Sequence, residues 1–346
     1  MKALIYNKKS DKKIQLIEKD IPQITEEKDA IVKVTMSSIC TSDLHIIDGY
    51  VPKAKDGIVL GHEYVGEVVE IGSQVKNIKI GDRVSANCET FCGECYFCQR
   101  GYINNCENGG WVLGHIEDGC QAEYIRVHYA DNVLSKLPDN VTDKNALLVG
   151  DVLATGYFGA EMCEIKNDDT IAIIGSGPVG MCGMICARIM GAKTIIAIDI
   201  DDKRLEIAKE QNLANIYLNP KSCDVEKEIK NLTQQRGADG VIEAAGTSSS
   251  FELAWKIARP NAIVGVVALY EENQTLPLPK MYGKNLTFKT GGIDAIHSDK
   301  IIELISQGKI NTDFLITHTY KLDEIEKAYE HFRNKTKNCI KIAITN

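Results

Sequence analysis

The sequence predicts an α/β protein of two domains, and three observations support this. The chain has 346 residues, which is enough for roughly two domains of about 150 residues each. Residues 1 to about 135 are rich in short β-branched runs punctuated by glycine, as at 30–36 and 64–72, which is typical of strands. From about residue 142, strand-length apolar runs alternate with helix-length segments, which favours a doubly wound parallel sheet.

The alternating region is predicted element by element. Its strands are expected at 170–174, 194–199, 240–244 and 262–268, and its helices at 178–190, 203–211 and near 249–258. The tail predicts two amphipathic helices, near 298–307 and 322–333, and a strand at 339–345. Because this tail is too short for a domain of its own, we expect it to pack on the first. The predicted domains are therefore 1–151 with 292–346, and 152–291.

Composition excludes several classes of function. The net charge of -8 and the pI near 5.5 argue against nucleic acid or an anionic membrane as partner, since phosphates would repel the average surface. The least charged stretch, 170–187, is broken by glycines and Pro178, so it predicts a buried strand and helix and not a membrane span. No secretory signal is expected at the N-terminus, so the 12 cysteines are expected to be thiols or metal ligands in a reducing cytoplasm.

A glycine motif predicts a dinucleotide site. The residues are Gly175, Ser176, Gly177, Pro178, Val179 and Gly180. The pattern G-x-G-x-x-G follows a predicted strand and opens a predicted helix, where backbone N–H groups can receive a pyrophosphate. Asp199 ends the next strand and can accept hydrogen bonds from the adenosine ribose, whereas a 2′-phosphate would be repelled, which favours NAD over NADP. The alternative is a tight turn without a ligand and a surface aspartate.

Four cysteines predict a structural zinc lobe at about 88–110. Cys92, Cys95, Cys98 and Cys106 fall within 15 residues, a spacing at which four thiolates can surround one zinc ion and leave no open position. Spacing alone does not exclude an iron–sulfur cluster. Cys88 is a fifth thiol without a predicted role. Cys120, Cys163, Cys182, Cys186, Cys223 and Cys339 are expected to be small core residues, and His115, His128, His297, His318 and His331 lack partner spacing.

A second metal site is less evident from the residues alone. By themselves, Cys40 and His62 are better explained as ordinary core residues, since such residues are commonly buried without binding metal. Asp151 is a carboxylate in an apolar stretch, where it needs a partner. An open catalytic zinc site takes three protein ligands, and the residues alone do not say which three would meet.

Together these features resemble the zinc-dependent medium-chain dehydrogenase/reductase family, that of the alcohol dehydrogenases. The motifs that carry the resemblance are Cys40 to His45, Gly61-His62-Glu63, the four-cysteine lobe, 151–157, the glycine motif and the C-terminal helices. The chain is most similar to bacterial secondary-alcohol dehydrogenases, which place an aspartate where Asp151 lies. It departs from them in keeping the four lobe cysteines, as the formaldehyde dehydrogenase branch does, and in having Asp199.

The resemblance implies a GroES-like β-barrel catalytic domain joined to a Rossmann domain, and roles for individual residues. Catalytic zinc would be bound by Cys40, His62 and Asp151, with Glu63 beside it and Asp43 accepting from the His62 ring. Ser42 and His45 would relay the proton. Thr155 would lie near the nicotinamide, Arg204 by the adenosine ribose and Trp111 in the substrate pocket.

The implied activity is reversible, zinc-assisted hydride transfer between a small, secondary alcohol and NAD, giving a ketone or aldehyde. An alternative is a polyol, diol or threonine-type dehydrogenase with the same zinc chemistry, for which Asn87 and Glu89 could supply polar contacts. A third is a zinc-free, non-catalytic member that binds a dinucleotide. The family implies a cytoplasmic homo-oligomer, with a homotetramer favoured over a dimer.

Overall fold

The computed structural model describes residues 1–334 and 339–346, which form two compact units. The first comprises Met1–Ala154 and Asp294–Asn346, and the second comprises Thr155–Ile293. The strands are β1 (Lys2–Tyr6), β2 (Ile14–Glu18), β3 (Ala30–Ser38), β4 (Ile58–Val59), β5 (Glu63–Ile71), β6 (Arg83–Ala86), β7 (Tyr124–Val127), β8 (Leu134–Lys136), β9 (Thr170–Ile174), β10 (Thr194–Ile198), β11 (Ile216–Leu218), β12 (Ala238–Glu243), β13 (Ala258–Val266), β14 (Thr287–Thr290), β15 (Ile316–Lys321) and β16 (Lys341–Thr345).

The α-helices are α1 (Thr41–Ile47), α2 (Ala130–Val133), α3 (Asp143–Ala146), α4 (Ala154–Met162), α5 (Pro178–Ile189), α6 (Asp202–Glu210), α7 (Val225–Leu232), α8 (Ser248–Ile257), α9 (Leu278–Met281), α10 (Ser298–Ser306) and α11 (Ile325–Asn334). A π-helical turn, Val149–Leu153, precedes α4. Within the described residues, every helix lacks the length and apolar character that crossing a bilayer requires.

The first unit is built on a mainly antiparallel sheet. Its strand order is β15-β16-β3-β5-β6-β8, with β7 also paired to β3, and a smaller sheet has the order β2-β1-β4. β16 pairs with β3, where Ala343 lies opposite Ser38. The C-terminal strand is thereby part of this unit's main sheet. One core cluster lies where α1 and α11 contribute Leu44, Ile47, Tyr329 and Phe332.

The second unit confirms the predicted doubly wound parallel sheet. Its order is β11-β10-β9-β12-β13-β14, and its six strands pair in parallel. The order reverses between β9 and β12, and ligands of such sheets bind beyond the carboxyl ends of the strands at this point. β13 begins at Ala258, earlier than the predicted residue 262. The prediction excluded Pro260 and Asn261, residues that normally argue against a strand. The pairing of β12 with β13 tolerates them through a register shift between Ala238 and Gly240.

Candidate functional site

Three side chains from separate segments of the first unit converge. Cys40 is the N-cap residue of α1, His62 directly precedes β5, and Asp151 lies in the π-helical turn, a feature found often at functional sites. Gly150 is needed beside Asp151, since a Cβ there would lie 1.7 Å from the carbonyl oxygen of Ala86. The close approach of this turn to β6 brings Asp151 to the other two residues.

The spacing of these side chains fits a tetrahedral zinc ion. Bonds of about 2.3 Å to sulfur and about 2.0 Å to nitrogen and oxygen would separate S from O by about 3.5 Å and N from O by about 3.3 Å. Cys40 Sγ lies 3.5 Å from Asp151 Oδ2, and His62 Nε2 lies 3.3 Å from the same oxygen. The three side chains are therefore spaced as ligands of one metal ion.

Asp43 supports two members of this set. Its side chain is completely buried; Oδ2 accepts from the Cys40 backbone N–H at 2.9 Å, and Oδ1 lies 3.5 Å from His62 Nδ1. Such a partner on the second ring nitrogen orients a metal-binding histidine. Burial lowers the pKa of His62, but Asp151 and Asp43 hold it well above its usual value.

The Cys40 thiol requires a cation to become a ligand. Burial, reinforced by the charge of Asp151, raises the pKa of this thiol. A bound divalent cation reverses that tendency, because a metal-coordinated thiol is deprotonated. The chemistry of the donor set therefore agrees with its geometry.

Glu63 lies in the same cluster and has a buried lysine as its partner. Lys341 Nζ is 2.6 Å from Glu63 Oε2 and donates to the carbonyl oxygen of Ile39 at 2.9 Å. Ser38 Oγ donates to the same carboxylate. Burial raises the pKa of Glu63 to about 7, against the opposing charge of Lys341. The sequence reasoning missed both partners; the available signal was a lysine within the apolar C-terminal strand.

The two predicted relay residues share α1 with Asp43. Ser42 Oγ lies 3.5 Å from Cys40 Sγ. His45 follows three residues later, so it lies on the same face of the helix, and its ring meets Tyr50 edge-on at 5.9 Å. The structure therefore places Ser42 beside Cys40 and His45 about one turn further along α1.

Trp111 and Glu89 lie near the same centre. The Trp111 ring is 6.0 Å from the His62 ring and 4.4 Å from that of His115. Glu89 is 4% exposed, and its Oε2 has no hydrogen-bond partner among the described residues. A Cβ on Gly110, the residue before Trp111, would lie 3.7 Å from this oxygen.

Burial, with the charge of Asp151, raises the pKa of Glu89 to about 8. Asn87, in contrast, is occupied by the backbone: its Oδ1 accepts from the Glu89 N–H and its Nδ2 donates to the carbonyl oxygen of Ala295. Of the two polar residues expected to contact a diol, Glu89 is thus the one with an unused buried oxygen.

The four lobe cysteines also converge. Cys106 Sγ lies 3.6 Å from Cys92 Sγ and 4.0 Å from Cys95 Sγ, and Cys98 belongs to the same cluster. Sulfurs bound to one tetrahedral zinc lie about 3.8 Å apart. The backbone N–H groups of Cys92 and Asn108 donate to Cys106 Sγ. Cys88 is buried outside this cluster, and the 12 cysteines, all within the described residues, form no disulfide.

The glycine motif in the second unit has the backbone that a phosphate loop requires. Gly175 has a φ of +96°, and a Cβ on Gly180 would lie 1.7 Å from the Gly175 carbonyl oxygen. Gly177, Pro178 and Val179 form the start of α5. The N–H groups at this helix end are therefore accessible to an anion.

Asp199 is fixed at the end of β10. Its Oδ2 accepts from the Ser176 N–H at 2.7 Å and its Oδ1 from the Asp201 N–H at 2.9 Å. The Arg204 guanidinium lies 3.8 Å from Oδ2. Thr155 is buried near the start of α4. Asp199 and Arg204 thus lie together beside the glycine motif.

The sequence reasoning did not group His318, His331 and Cys339. Ligand atoms of these three residues lie within 4.8 Å of one another, and Cys339 is half-buried and packs against a core cluster, as expected of a small core residue. They come from a strand, a helix and the segment before another strand, so no local spacing could reveal them.

Two family models match separate parts of this chain, and known proteins match nearly all of it. Residues 26–139 match the alcohol dehydrogenase GroES-like domain, and residues 178–304 match the zinc-binding dehydrogenase family. An alcohol dehydrogenase of Cupriavidus necator is 36% identical, with 99% of this chain and 98% of that protein covered. An NADP-dependent isopropanol dehydrogenase of Thermoanaerobacter brockii is 34% identical, with 90% and 91% covered.

A solved structure is similar over the whole length. The alcohol dehydrogenase TADH from Thermus sp. ATN1 superimposes with a TM-score of 0.93 at 31% sequence identity, with 100% of this chain and 99% of that chain covered. This chain therefore shares its fold with that alcohol dehydrogenase.

Proposed function

The chain belongs to the zinc-dependent medium-chain alcohol dehydrogenase family, and on this premise we propose that it transfers hydride reversibly between a small secondary alcohol and NAD. The observation that carries the proposal is the pair of separations at Asp151 Oδ2, 3.5 Å to Cys40 Sγ and 3.3 Å to His62 Nε2. Three protein ligands and an open position are the arrangement of catalytic zinc sites.

In this proposal Cys40, His62 and Asp151 hold the catalytic zinc, which would supply Lewis acidity and lower the pKa of an alcohol hydroxyl. Asp43 keeps the His62 ring oriented, and the Glu63–Lys341 pair holds a carboxylate beside the ligands. NAD would supply the hydride acceptor.

The proton has a route along α1. Ser42 would accept the proton at Oγ as it releases its own hydroxyl proton toward His45. The imidazole of His45, a group that exchanges protons readily near neutral pH, would then pass a proton to water. The position of the two groups on one helix face supports this order. The relay is a general acid–base role, in which a hydroxyl and an imidazole are ordinary participants.

The cofactor preference follows from Asp199. Both of its oxygens are held by backbone N–H groups, so the carboxylate is presented in a fixed position for ribose hydroxyls. A 2′-phosphate there would meet a like charge. We therefore propose NAD for this chain, although the isopropanol dehydrogenase of T. brockii is NADP-dependent by name.

Glu89 favours a second candidate substrate class, a diol, polyol or amino alcohol. Its unpartnered buried oxygen needs a hydrogen bond, since an unmade bond in a buried site is costly. A second hydroxyl or an amine on the substrate would satisfy it. Comparison of kcat/KM for 2-propanol, 2-butanol, 2,3-butanediol, sorbitol and threonine separates the two substrate classes. A secondary-alcohol dehydrogenase must turn over 2-propanol or 2-butanol, and activity confined to sorbitol or threonine would reject that function.

The remaining assignments concern stability and environment. We propose that Cys92, Cys95, Cys98 and Cys106 bind a structural zinc. Twelve cysteines that form no disulfide among the described residues agree with a reducing compartment, and we place the protein in the cytoplasm. A homotetramer is proposed for its assembly, which light scattering coupled to gel filtration will test.

The catalytic assignment is tested with Cys40→Ser. The variant should lose turnover and about one zinc per chain while NADH still binds in a fluorescence titration, because the nucleotide motif lies in the other unit. Cys223→Ser, which alters a half-buried thiol outside the zinc clusters, is the control and should keep both zinc and turnover. Full turnover by Cys40→Ser would reject the proposed zinc site.

A further inference from the structure

His318, His331 and Cys339 form a third cluster of metal-ligating side chains, apart from both zinc sites proposed above. His318 lies on β15, His331 in the last turn of α11, and Cys339 two residues before β16. One ligand atom from each lies within 4.8 Å of the others. All three side chains are half-buried, so ions can reach them from solvent.

The two imidazole rings are held by neighbours in the way metal-binding histidines are. Their centroids are 4.4 Å apart with an interplanar angle of 74°. Nδ1 of His331 is 2.8 Å from the Tyr320 hydroxyl, and Nδ1 of His318 is 2.9 Å from Thr317 Oγ1. A hydrogen bond at one ring nitrogen fixes the orientation in which the other binds a metal, which assigns Nε2 as the ligand atom of both rings.

Thr317 also fixes the chain next to Cys339. Its Oγ1 accepts from the Ile340 N–H at 3.1 Å and donates to the Lys341 carbonyl oxygen at 3.2 Å. The residue that orients the His318 ring therefore also ties down the backbone that carries the thiol. One hydroxyl thus connects His318 with the backbone next to Cys339, and His331 is held separately by Tyr320.

We propose that His318, His331 and Cys339 bind a zinc ion, with water at the fourth position. Imidazole nitrogen and thiolate sulfur are ligands that zinc prefers, whereas calcium and magnesium prefer oxygen. The ion would fasten the start of β16 to β15 and α11. Lys341, the first residue of β16, forms an ion pair with Glu63. The proposed ligand Cys339 therefore lies two residues from the lysine that contacts the candidate catalytic centre. The inference itself does not depend on the proposed activity.

Zinc content tests the proposal directly. The purified enzyme and its Cys339→Ser variant are each equilibrated with micromolar Zn²⁺, passed through a desalting column, and measured for zinc per chain by mass spectrometry. The wild type should retain one zinc per chain more than the variant, and Cys223→Ser should match the wild type. Equal zinc in the wild type and Cys339→Ser would overturn the proposal. His331→Gln serves the same purpose should Cys339→Ser not fold.

Cobalt binding gives a second test, because an absorption band from a cobalt–thiolate bond appears only if Cys339 itself binds the metal. With zinc retained elsewhere, added Co²⁺ should give a thiolate-to-cobalt charge-transfer band in the wild type that is absent from Cys339→Ser. Tyr320→Phe should keep the band but weaken cobalt binding about 10- to 100-fold, the range for loss of a partner that orients a ligand. A band of equal strength in Cys339→Ser, or its absence from the wild type, would refute a site at these residues.

Discussion

Replacement of Asp199 by glycine should reverse the cofactor preference. The carboxylate is 7% exposed and held by two backbone N–H groups, so it accepts from ribose hydroxyls without reorganisation. A hydrogen bond to a charged acceptor contributes about 1.5–3 kcal/mol. Its loss should lower kcat/KM for NAD by about 10- to 150-fold, since each 1.4 kcal/mol is about tenfold.

The same change should improve the use of NADP. It removes a negative charge from the position of the 2′-phosphate, where repulsion at about 4 Å is on the order of 4 kcal/mol at an effective dielectric constant near 20. Arg204, 3.8 Å from Asp199, then becomes available to the phosphate. The ratio of kcat/KM for NADP to that for NAD should therefore rise by at least about 100-fold, as converted from these energies.

Initial rates of alcohol oxidation over a range of NAD and NADP concentrations provide the assay. Asp201→Asn is the matched control. It removes another carboxylate that lies 4.0 Å from the Arg204 guanidinium, but the Asp201 side chain is exposed whereas that of Asp199 is buried. Its ratio should stay within about threefold of the wild type, in keeping with the small contribution of exposed pairs. An unchanged ratio in Asp199→Gly would refute the role assigned to Asp199.

Three further predictions concern the first unit. Cys95→Ser should destabilise the fold by more than about 4 kcal/mol, as loss of a metal site does, with zinc lost in proportion; thermal denaturation checks this, and an unchanged melting temperature would contradict a structural zinc. Lys341→Met should cost about 3–5 kcal/mol, because it leaves the Glu63 carboxylate buried without its cation, and adding Glu63→Gln should recover part of that loss in chemical denaturation. Glu89→Met, which keeps the length of the side chain but has no hydrogen-bonding oxygen, should lower kcat/KM for 2,3-butanediol by about tenfold, the effect of a hydrogen bond of about 1.4 kcal/mol, and leave 2-propanol nearly unchanged; equal losses on both substrates would remove Glu89 from substrate recognition.

What the sequence predicted well was encoded locally. The glycine motif could be recognised because its strand, turn and helix are consecutive in the sequence. The lobe cysteines could be recognised because they lie within 15 residues. The parallel sheet follows from alternating elements. The helix α1 was not predicted, because it spans only seven residues and offers too few turns for an apolar period to emerge.

Contacts between distant segments lay beyond sequence reasoning. Cys40, His62 and Asp151 could be grouped only through the resemblance to a family, since neither spacing nor composition relates them. The pairing of Lys341 with Glu63 depends on the register of β16 beside β3, which a single sequence does not specify. His318 and Cys339 meet for the same reason: parallel pairing of β15 and β16 brings their segments together.

The most direct test of the central claim is anomalous diffraction at the zinc edge from crystals of the enzyme as purified. The account predicts a strong peak coordinated by Cys40 Sγ, His62 Nε2 and Asp151 Oδ2, in addition to one among the four lobe cysteines. A lobe peak accompanied by no peak among those three side chains would contradict it.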